Sequence, residues 1–78
     1  MKKNSMPLTS IPVGTRAKVT GLISRGTERR RMLDLGVIGG TVIMPLYGSP
    51  FGNPTAYLIR GAVIALRSDV AGKILVEA

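Results

Sequence analysis

Cysteine and histidine are both absent from this 78-residue chain. Without cysteine no disulfide can form, and zinc, haem and iron–sulfur sites lose their usual ligands. Acidic residues are also few, and no two of the four form an Asp-x-Asp or Glu-x-x-Glu pair: Glu28, Asp34, Asp69 and Glu77. Ferrous iron favours clustered histidine and carboxylate ligands. We therefore expect no metal site, no cofactor and no catalytic constellation, so an enzyme is not predicted.

Long apolar runs are missing as well. No stretch approaches the ~20 consecutive apolar residues of a membrane-spanning helix. Met1, Lys2 and Lys3 resemble the start of a signal peptide, but residues 4–7 do not continue it as an apolar segment. Secretion is therefore rejected, and the expected compartment is the cytoplasm, with the inner face of the cell membrane as a peripheral location.

The shortage of acids leaves eleven Lys and Arg against four Asp and Glu, a formal net charge of +7. This balance favours an anionic partner: nucleic acid, an anionic membrane surface or an acidic protein surface. Aromatic residues make up only 4% of the chain, which predicts an aliphatic core. Charge alone does not choose among the three partner classes.

Turn residues and hydrophobic periodicity predict one domain, residues 8–78, after a flexible leader, residues 1–7. Alternating apolar residues predict five strands, at 16–23, 39–47, 55–60, 62–67 and 73–77. The predicted fold class is mostly β, a small, partly closed antiparallel barrel that hides its strand edges.

Two helical segments and two residues that interrupt or separate strands complete this prediction. A helix is expected over residues 26–36, with Thr27 as its N-cap and Gly36 just past its end. Ser68 is expected to cap a short helical turn over 68–72. Pro45 marks an edge or a bulge in the second strand, and Gly61 marks a tight hairpin. The predicted core is aliphatic: Val19, Ile23, Leu33, Leu35, Val42, Met44, Leu58, Leu66, Ile74 and Val76.

The segment "SPFGNP", residues 49–54, carries the only phenylalanine of the chain, Phe51, in a turn. Two prolines stiffen the segment, which lowers the entropy lost on binding and suits an aromatic anchor. Phe51 could equally fold back over an open end of the barrel, and the sequence leaves both interpretations open. On the docking interpretation, the partner-binding surface includes Tyr47, Phe51, Asn53, Tyr57, Arg60 and Arg67.

Three consecutive arginines, Arg29, Arg30 and Arg31, lie in the predicted helix. They span about 200° of a helix and cannot all face one partner. They form either a solvated helix face or an electrostatic contact surface. Arg29 and Arg30 join the candidate partner-binding residues on the second interpretation.

Four segments together resemble the FeoA family of bacterial ferrous iron transport: "LTSIPVGTRAKV", "RRRMLDLGVIGGTVI", "SPFGNP" and "IRGAVIALRSDVAGKILVE". The resemblance covers residues 8–77 and implies an SH3-like barrel. It also implies a role with FeoB, a membrane permease for Fe²⁺ with a cytoplasmic G-protein domain. The family usually has Asp where Asn53 stands, so the loop carries no carboxylate here.

Three functions from different classes follow. The resemblance implies an accessory protein that binds the cytoplasmic side of the FeoB-type permease and modulates its transport. The charge of +7 suggests instead a nucleic-acid-binding small barrel, although Tyr47 and Tyr57 are the only candidate stacking residues on strands. A scaffold or oligomerisation module is the third, because small barrels host many functions.

Overall fold

Antiparallel pairing joins six strands into one open sheet. The computed structural model describes residues 5–78. The strands are β1 (Met6–Pro7), β2 (Ala17–Leu22), β3 (Val42–Gly48), β4 (Thr55–Ile59), β5 (Ala62–Leu66) and β6 (Ile74–Glu77). They lie in the order β1-β6-β2-β3-β4-β5, which leaves β1 and β5 as the edges. The mostly β antiparallel architecture is confirmed, with six strands rather than five.

The sixth strand comes from the segment expected to be a leader. Met6 and Pro7 pair with Val76 and Leu75 of β6, and Ser5 Oγ lies 2.8 Å from Thr20 Oγ1. Residues 1–4 of the predicted leader lie outside the described residues. A two-residue strand gives no alternation, so the sequence pattern could not show it.

Helix α1 (Gly26–Asp34) ends as the sequence predicts. Gly36 has φ +88°, a conformation that favours glycine. The Gly36 N–H donates to the Leu33 carbonyl and the Val37 N–H to the Met32 carbonyl, both at 3.0 Å. This pattern is a Schellman motif, and it brings Val37 into the core beside Met32. Thr27 is not the N-cap, because α1 begins one residue before it.

The β4–β5 hairpin turns through Arg60 and Gly61, whose φ angles are +50° and +83°. Two positive φ angles are typical of a type I′ turn, and the tight hairpin is confirmed. Pro45 adjoins a bulge between β3 and β4, as predicted. Its carbonyl accepts from the Gly14 N–H at 2.8 Å, on the side of β3 away from β4, so the missing N–H interrupts no bond between these strands.

The core fills the space between one face of the sheet, α1 and the 3-10 turn Leu8–Ser10. Burial confirms four predicted core residues and adds others that the pattern did not select. The confirmed ones are Val19, Leu66, Ile74 and Val76; the added ones are Leu8, Ile11, Ala17, Met32, Val37, Ile43, Ala56, Tyr57, Ile59 and Ala71. Leu35 is half-buried and packs against this core.

The other core predictions are wrong or incomplete for local reasons. A register shift between Val19 and Gly21 turns Leu22 toward Ile74 and leaves Ile23 55% exposed. Leu33 is exposed because Met32 occupies the inward position of α1.

Strand β3 has the opposite phase to the predicted one. Ile43 and Pro45 face the core, whereas Val42 is exposed. Met44 lies on the outer face, opposite Leu58 of β4, and these two side chains are half-buried. Both faces of β3 carry apolar residues, so alternation could not indicate which face is buried.

Candidate partner-binding surfaces

The tip loop, residues 49–54, connects β3 and β4 and is held by its own hydrogen bonds. The Ser49 hydroxyl donates to the Asn53 carbonyl at 2.7 Å and accepts from the Asn53 N–H at 2.9 Å. The Gly52 N–H donates to the Ser49 carbonyl at 2.9 Å, and the Ser49 N–H donates to the Pro54 carbonyl at 3.1 Å. The backbone of the tip loop is therefore ordered without any contact from Phe51.

Phe51 is 93% exposed at the end of this loop. The interpretation that its ring closes an end of the barrel is wrong. An aromatic ring held in water by a hydrogen-bonded loop gains nothing from burial in the isolated domain. The ring is therefore available for contact with a partner.

Asn53 ties the tip loop to helix α2 (Ser68–Ala71). Its Oδ1 accepts from the Ser68 N–H at 3.0 Å, and its Nδ2 donates to Ser68 Oγ at 3.3 Å. Ser68 is therefore not the cap of α2, because its hydroxyl makes no capping bond and its own N–H is the group that is capped. The Asn53 side chain, expected to bind a partner, is engaged within the domain and positions the loop.

The two tyrosines predicted at the base of the loop separate to opposite faces of the sheet. Tyr57 is 3% exposed and lies in the core opposite Ile64, so it is not part of a surface. Burial raises the pKa of the Tyr57 phenol, and a side-chain hydrogen bond with Thr55 acts in the opposite direction. Tyr47 is 61% exposed and remains beside the tip loop.

The two predicted arginines lie at opposite ends of β5. Arg67 follows Leu66, which pairs with Thr55 at the tip-loop end, and its Nε lies 3.8 Å from Asp69 Oδ1. Arg60 is in the turn at the other end of β4, where its side chain lies over Gly36. The structure thus brings Tyr47, Phe51 and Arg67 to one end of the sheet and places Arg60 beyond the other end of β4, five residues or ~16 Å from Thr55.

A groove of about 540 Å³ runs along the outer face of β2, β3 and β4. Its floor is apolar and includes Val42, Met44 and Leu58. Three cationic residues and one acidic residue also line it: Arg16, Lys18, Arg60 and Glu77. Arg60 therefore belongs to this groove rather than to the tip loop.

The arginines of α1 divide between two sides of the helix. Arg29 and Arg30 line shallow hollows with Leu22 and Leu33, and Arg29 Nη1 donates to the Leu22 carbonyl at 3.2 Å. Arg31 instead faces a cleft between α1 and β5, which it shares with Arg67. The sequence pattern did not single out Arg31, since nothing in three consecutive arginines shows which one meets another element.

Neither a metal centre nor a membrane span is found within residues 5–78. These residues hold no group of three or more Asp and Glu side chains that could bind a metal ion. No helix among them has the length and apolar character to cross a bilayer. The features that remain available for binding are the tip loop, the groove and the margin of β5.

This chain is similar to known proteins in both sequence and structure. The FeoA domain model matches residues 6–78. An Fe(2+) transport protein A/Fe(2+) transporter FeoB fusion protein of Porphyromonas gingivalis is 32% identical over 72 residues, which cover 92% of this chain and 8% of that protein. The chain thus spans a small fraction of the curated relative it matches.

Two solved structures share the fold. The FeoA-like protein of Clostridium acetobutylicum is 33% identical with a TM-score of 0.87, covering 100% of this chain and 90% of that one. The FeoA of Stenotrophomonas maltophilia, described as a prokaryotic SH3 domain protein and solved with zinc, is 25% identical with a TM-score of 0.81, covering 92% and 89%.

Fold and surfaces therefore define a small SH3-like domain that presents a rigid aromatic tip and cationic clefts. The match along nearly the whole chain makes the assignment specific: this chain belongs to the FeoA domain family, which is associated with ferrous iron transport.

Proposed function

We propose that this domain is an accessory of ferrous iron uptake that binds the cytoplasmic side of an FeoB-type transporter and modulates Fe²⁺ transport, with no catalysis of its own. The fusion in Porphyromonas gingivalis carries the proposal, because one chain there joins a domain similar to this one to a transporter. A linker holds two modules at millimolar effective concentration. Such an arrangement favours modules that act on each other.

The tip loop supplies the contact surface in this proposal. Phe51 is almost fully exposed, yet its loop is ordered by Ser49 and Asn53. A side chain on a preorganised loop binds without a large entropic cost, and a desolvated aromatic ring is a frequent source of interface energy. Tyr47 and Arg67 flank it, and the arginine favours an acidic partner surface and raises the association rate.

Nucleic-acid binding loses its main structural support. A single-stranded ligand needs several aromatic side chains on which successive bases stack. Tyr57 is in the core, so Tyr47 is the exposed tyrosine that remains on the strands. The net charge of +7 then fits an acidic protein surface at least as well as a phosphate backbone.

The test is a direct binding measurement on the detergent-solubilised FeoB-type transporter of the same organism. Phe51→Ala should weaken binding by about 1–2 kcal/mol, roughly 5- to 30-fold in Kd. Ile38→Ala is the matched control, because Ile38 is 48% exposed but lies in the segment between α1 and β3, near the other end of the β3–β4 hairpin. Its Kd should not change.

Three outcomes discriminate among the alternatives. The proposal would be overturned if the wild-type domain showed no binding to the transporter but bound single-stranded nucleic acid. Unchanged binding by Phe51→Ala would keep the transporter as partner and remove the tip loop from the interface. Loss of binding between low and moderate salt, with no effect of Phe51→Ala, would assign the contact to the arginines.

A further inference from the structure

The two edges of the sheet are protected very differently. Strand β1 has two residues, one of which is Pro7, and short or proline-containing edges resist pairing with other chains. Strand β5 has five residues, Ala62–Leu66, with no charge, no proline and no register shift against β4. Val63, its second residue, is 58% exposed. Proteins normally protect an apolar edge of this kind, so a bare one indicates a site for an added strand.

The hairpin geometry shows which backbone groups of β5 are available. The pair that closes a two-residue turn exchanges hydrogen bonds, and every second pair along the ladder does the same. Ile59 and Ala62 close the turn, so Ala62, Ile64 and Leu66 bond to β4. The N–H and C=O groups of Val63 and Ala65 therefore point away from the sheet. Within residues 5–78, no strand pairs with this side of β5.

Charge at the ends of β5 selects the kind of strand that would fit. Arg60 precedes the strand and Arg67 follows it. If two copies paired antiparallel about Ile64, Arg60 of one copy would lie opposite Ser68 and one position from Arg67 of the other, and this approach of like charges is unfavourable. The net charge of +7 on each copy adds to this repulsion. An incoming segment with acidic residues at its ends would instead be attracted at both positions.

A cleft of about 560 Å³ adjoins the tip-loop end of this edge, between β5 and α1. Met32, Leu66 and Val70 contribute apolar lining, and Arg31 and Arg67 also line it. Glu28, the acid in the cleft, lies 3.2 Å from Lys73 Nζ, so its charge is already offset. The cleft has room for an apolar side chain of the incoming segment with a carboxylate near the two arginines.

We infer that the outer edge of β5 receives, as a seventh strand, an extended segment of the transporter with alternating apolar residues and acidic residues at its ends. This inference rests on the proposed function and adds the mode of binding to it. The backbone of Val63 and Ala65 supplies the hydrogen bonds, and Arg60, Arg31 and Arg67 select the acidic ends. The tip loop, next to the Arg67 end of β5, then contacts the same partner.

Residue-specific amide hydrogen exchange on the wild-type domain tests the inference without any substitution. On addition of the purified, detergent-solubilised transporter, exchange at the Val63 and Ala65 N–H groups should slow by about tenfold or more, as expected for groups that gain a ladder bond. The Ile64 N–H, already bonded to β4, serves as the internal reference. Unchanged exchange at Val63 and Ala65 in a domain that binds would overturn the edge pairing.

Two pairs of variants provide a second test, in which the affinity for the intact transporter is measured. Ala65→Pro removes an outward N–H but no bond to β4, and should weaken binding about tenfold. Val63→Thr keeps its N–H and its β-branched shape, and should bind within about twofold of wild type. Circular dichroism and thermal melting establish that both variants fold.

The second pair of variants reverses one positive charge in each protein. Arg67→Glu tests the arginine at the end of β5. Arg25→Glu is its control, because it changes the net charge equally at an exposed position at the start of α1. Only Arg67→Glu should weaken binding, and the loss should shrink in high salt. Absence of any wild-type binding would defeat the proposed function and this inference together. Wild-type affinity in both Ala65→Pro and Arg67→Glu, with Phe51→Ala impaired, would defeat only the edge inference.

Discussion

Replacing Asn53 by Ala tests whether a side chain from the tip loop stabilises the start of α2. The substitution removes the acceptor of the Ser68 N–H, which lies 3.0 Å from Oδ1, and the Nδ2 bond to Ser68 Oγ at 3.3 Å. Loss of an N-terminal cap costs about 0.5–2 kcal/mol. The second bond is exposed and adds little, so we expect a total of about 1–2 kcal/mol. In a domain of this size each kcal/mol lowers Tm by about 4–8 °C.

Two further variants separate capping from other effects of the substitution. Asn53→Asp keeps an acceptor for the Ser68 N–H and puts a negative charge at a helix start, so its stability should equal or exceed that of wild type. Ser68→Ala keeps the capped N–H and should lose only about 0.5 kcal/mol. Chemical denaturation of all four proteins gives the free energies of unfolding. A loss under about 0.3 kcal/mol for Asn53→Ala, or equal losses for the Ala and Asp variants, would refute the capping role.

Met32→Ala should lose about 2–5 kcal/mol of stability in urea melts, because its side chain is 1% exposed, while Leu33→Ala should lose under 1 kcal/mol; equal losses would contradict the observed face of α1. Gly36→Ala should cost more than about 1 kcal/mol by the same assay, since its φ is +88°, and a neutral result would contradict the Schellman geometry. Tyr57 has a pKa raised above 10.0, so its stabilising contribution is complete below that pH and is lost as pH rises through the raised pKa. Tyr57→Phe should therefore lose stability less steeply above pH 10 than wild type or Tyr47→Phe, and parallel slopes would contradict the effect of burial.

Local signals predicted the parts of the fold that depend on neighbouring residues. Gly36 tolerates the positive φ with which α1 ends, and Gly61 allows a two-residue turn, so both boundaries follow from single residues. Pro45 indicated a bulge because it cannot donate to a ladder. The resemblance to the FeoA family then supplied the SH3-like fold that these pieces form.

Features that depend on residues far apart in the chain could not be predicted from the sequence. Asn53 meets Ser68 fifteen residues later, so no local pattern marks the pair as a cap. Tyr57 was expected at the surface because it flanks the tip loop, but its ring completes the core. The apolar run of β5 was visible as a strand, whereas its position at an edge follows only from the order of all six strands.

The pairing of β1 with β6 has a practical consequence for any tether attached to this domain. Met6 lies opposite Val76, so the described chain enters and leaves at neighbouring strands, at the opposite end of the strand order from β5. Five strand spacings separate β1 from β5, up to about 24 Å along the sheet. An affinity tag or surface linkage at either end would leave the β5 edge open to solution. A linker that followed the sheet to that edge would need at most roughly seven extended residues.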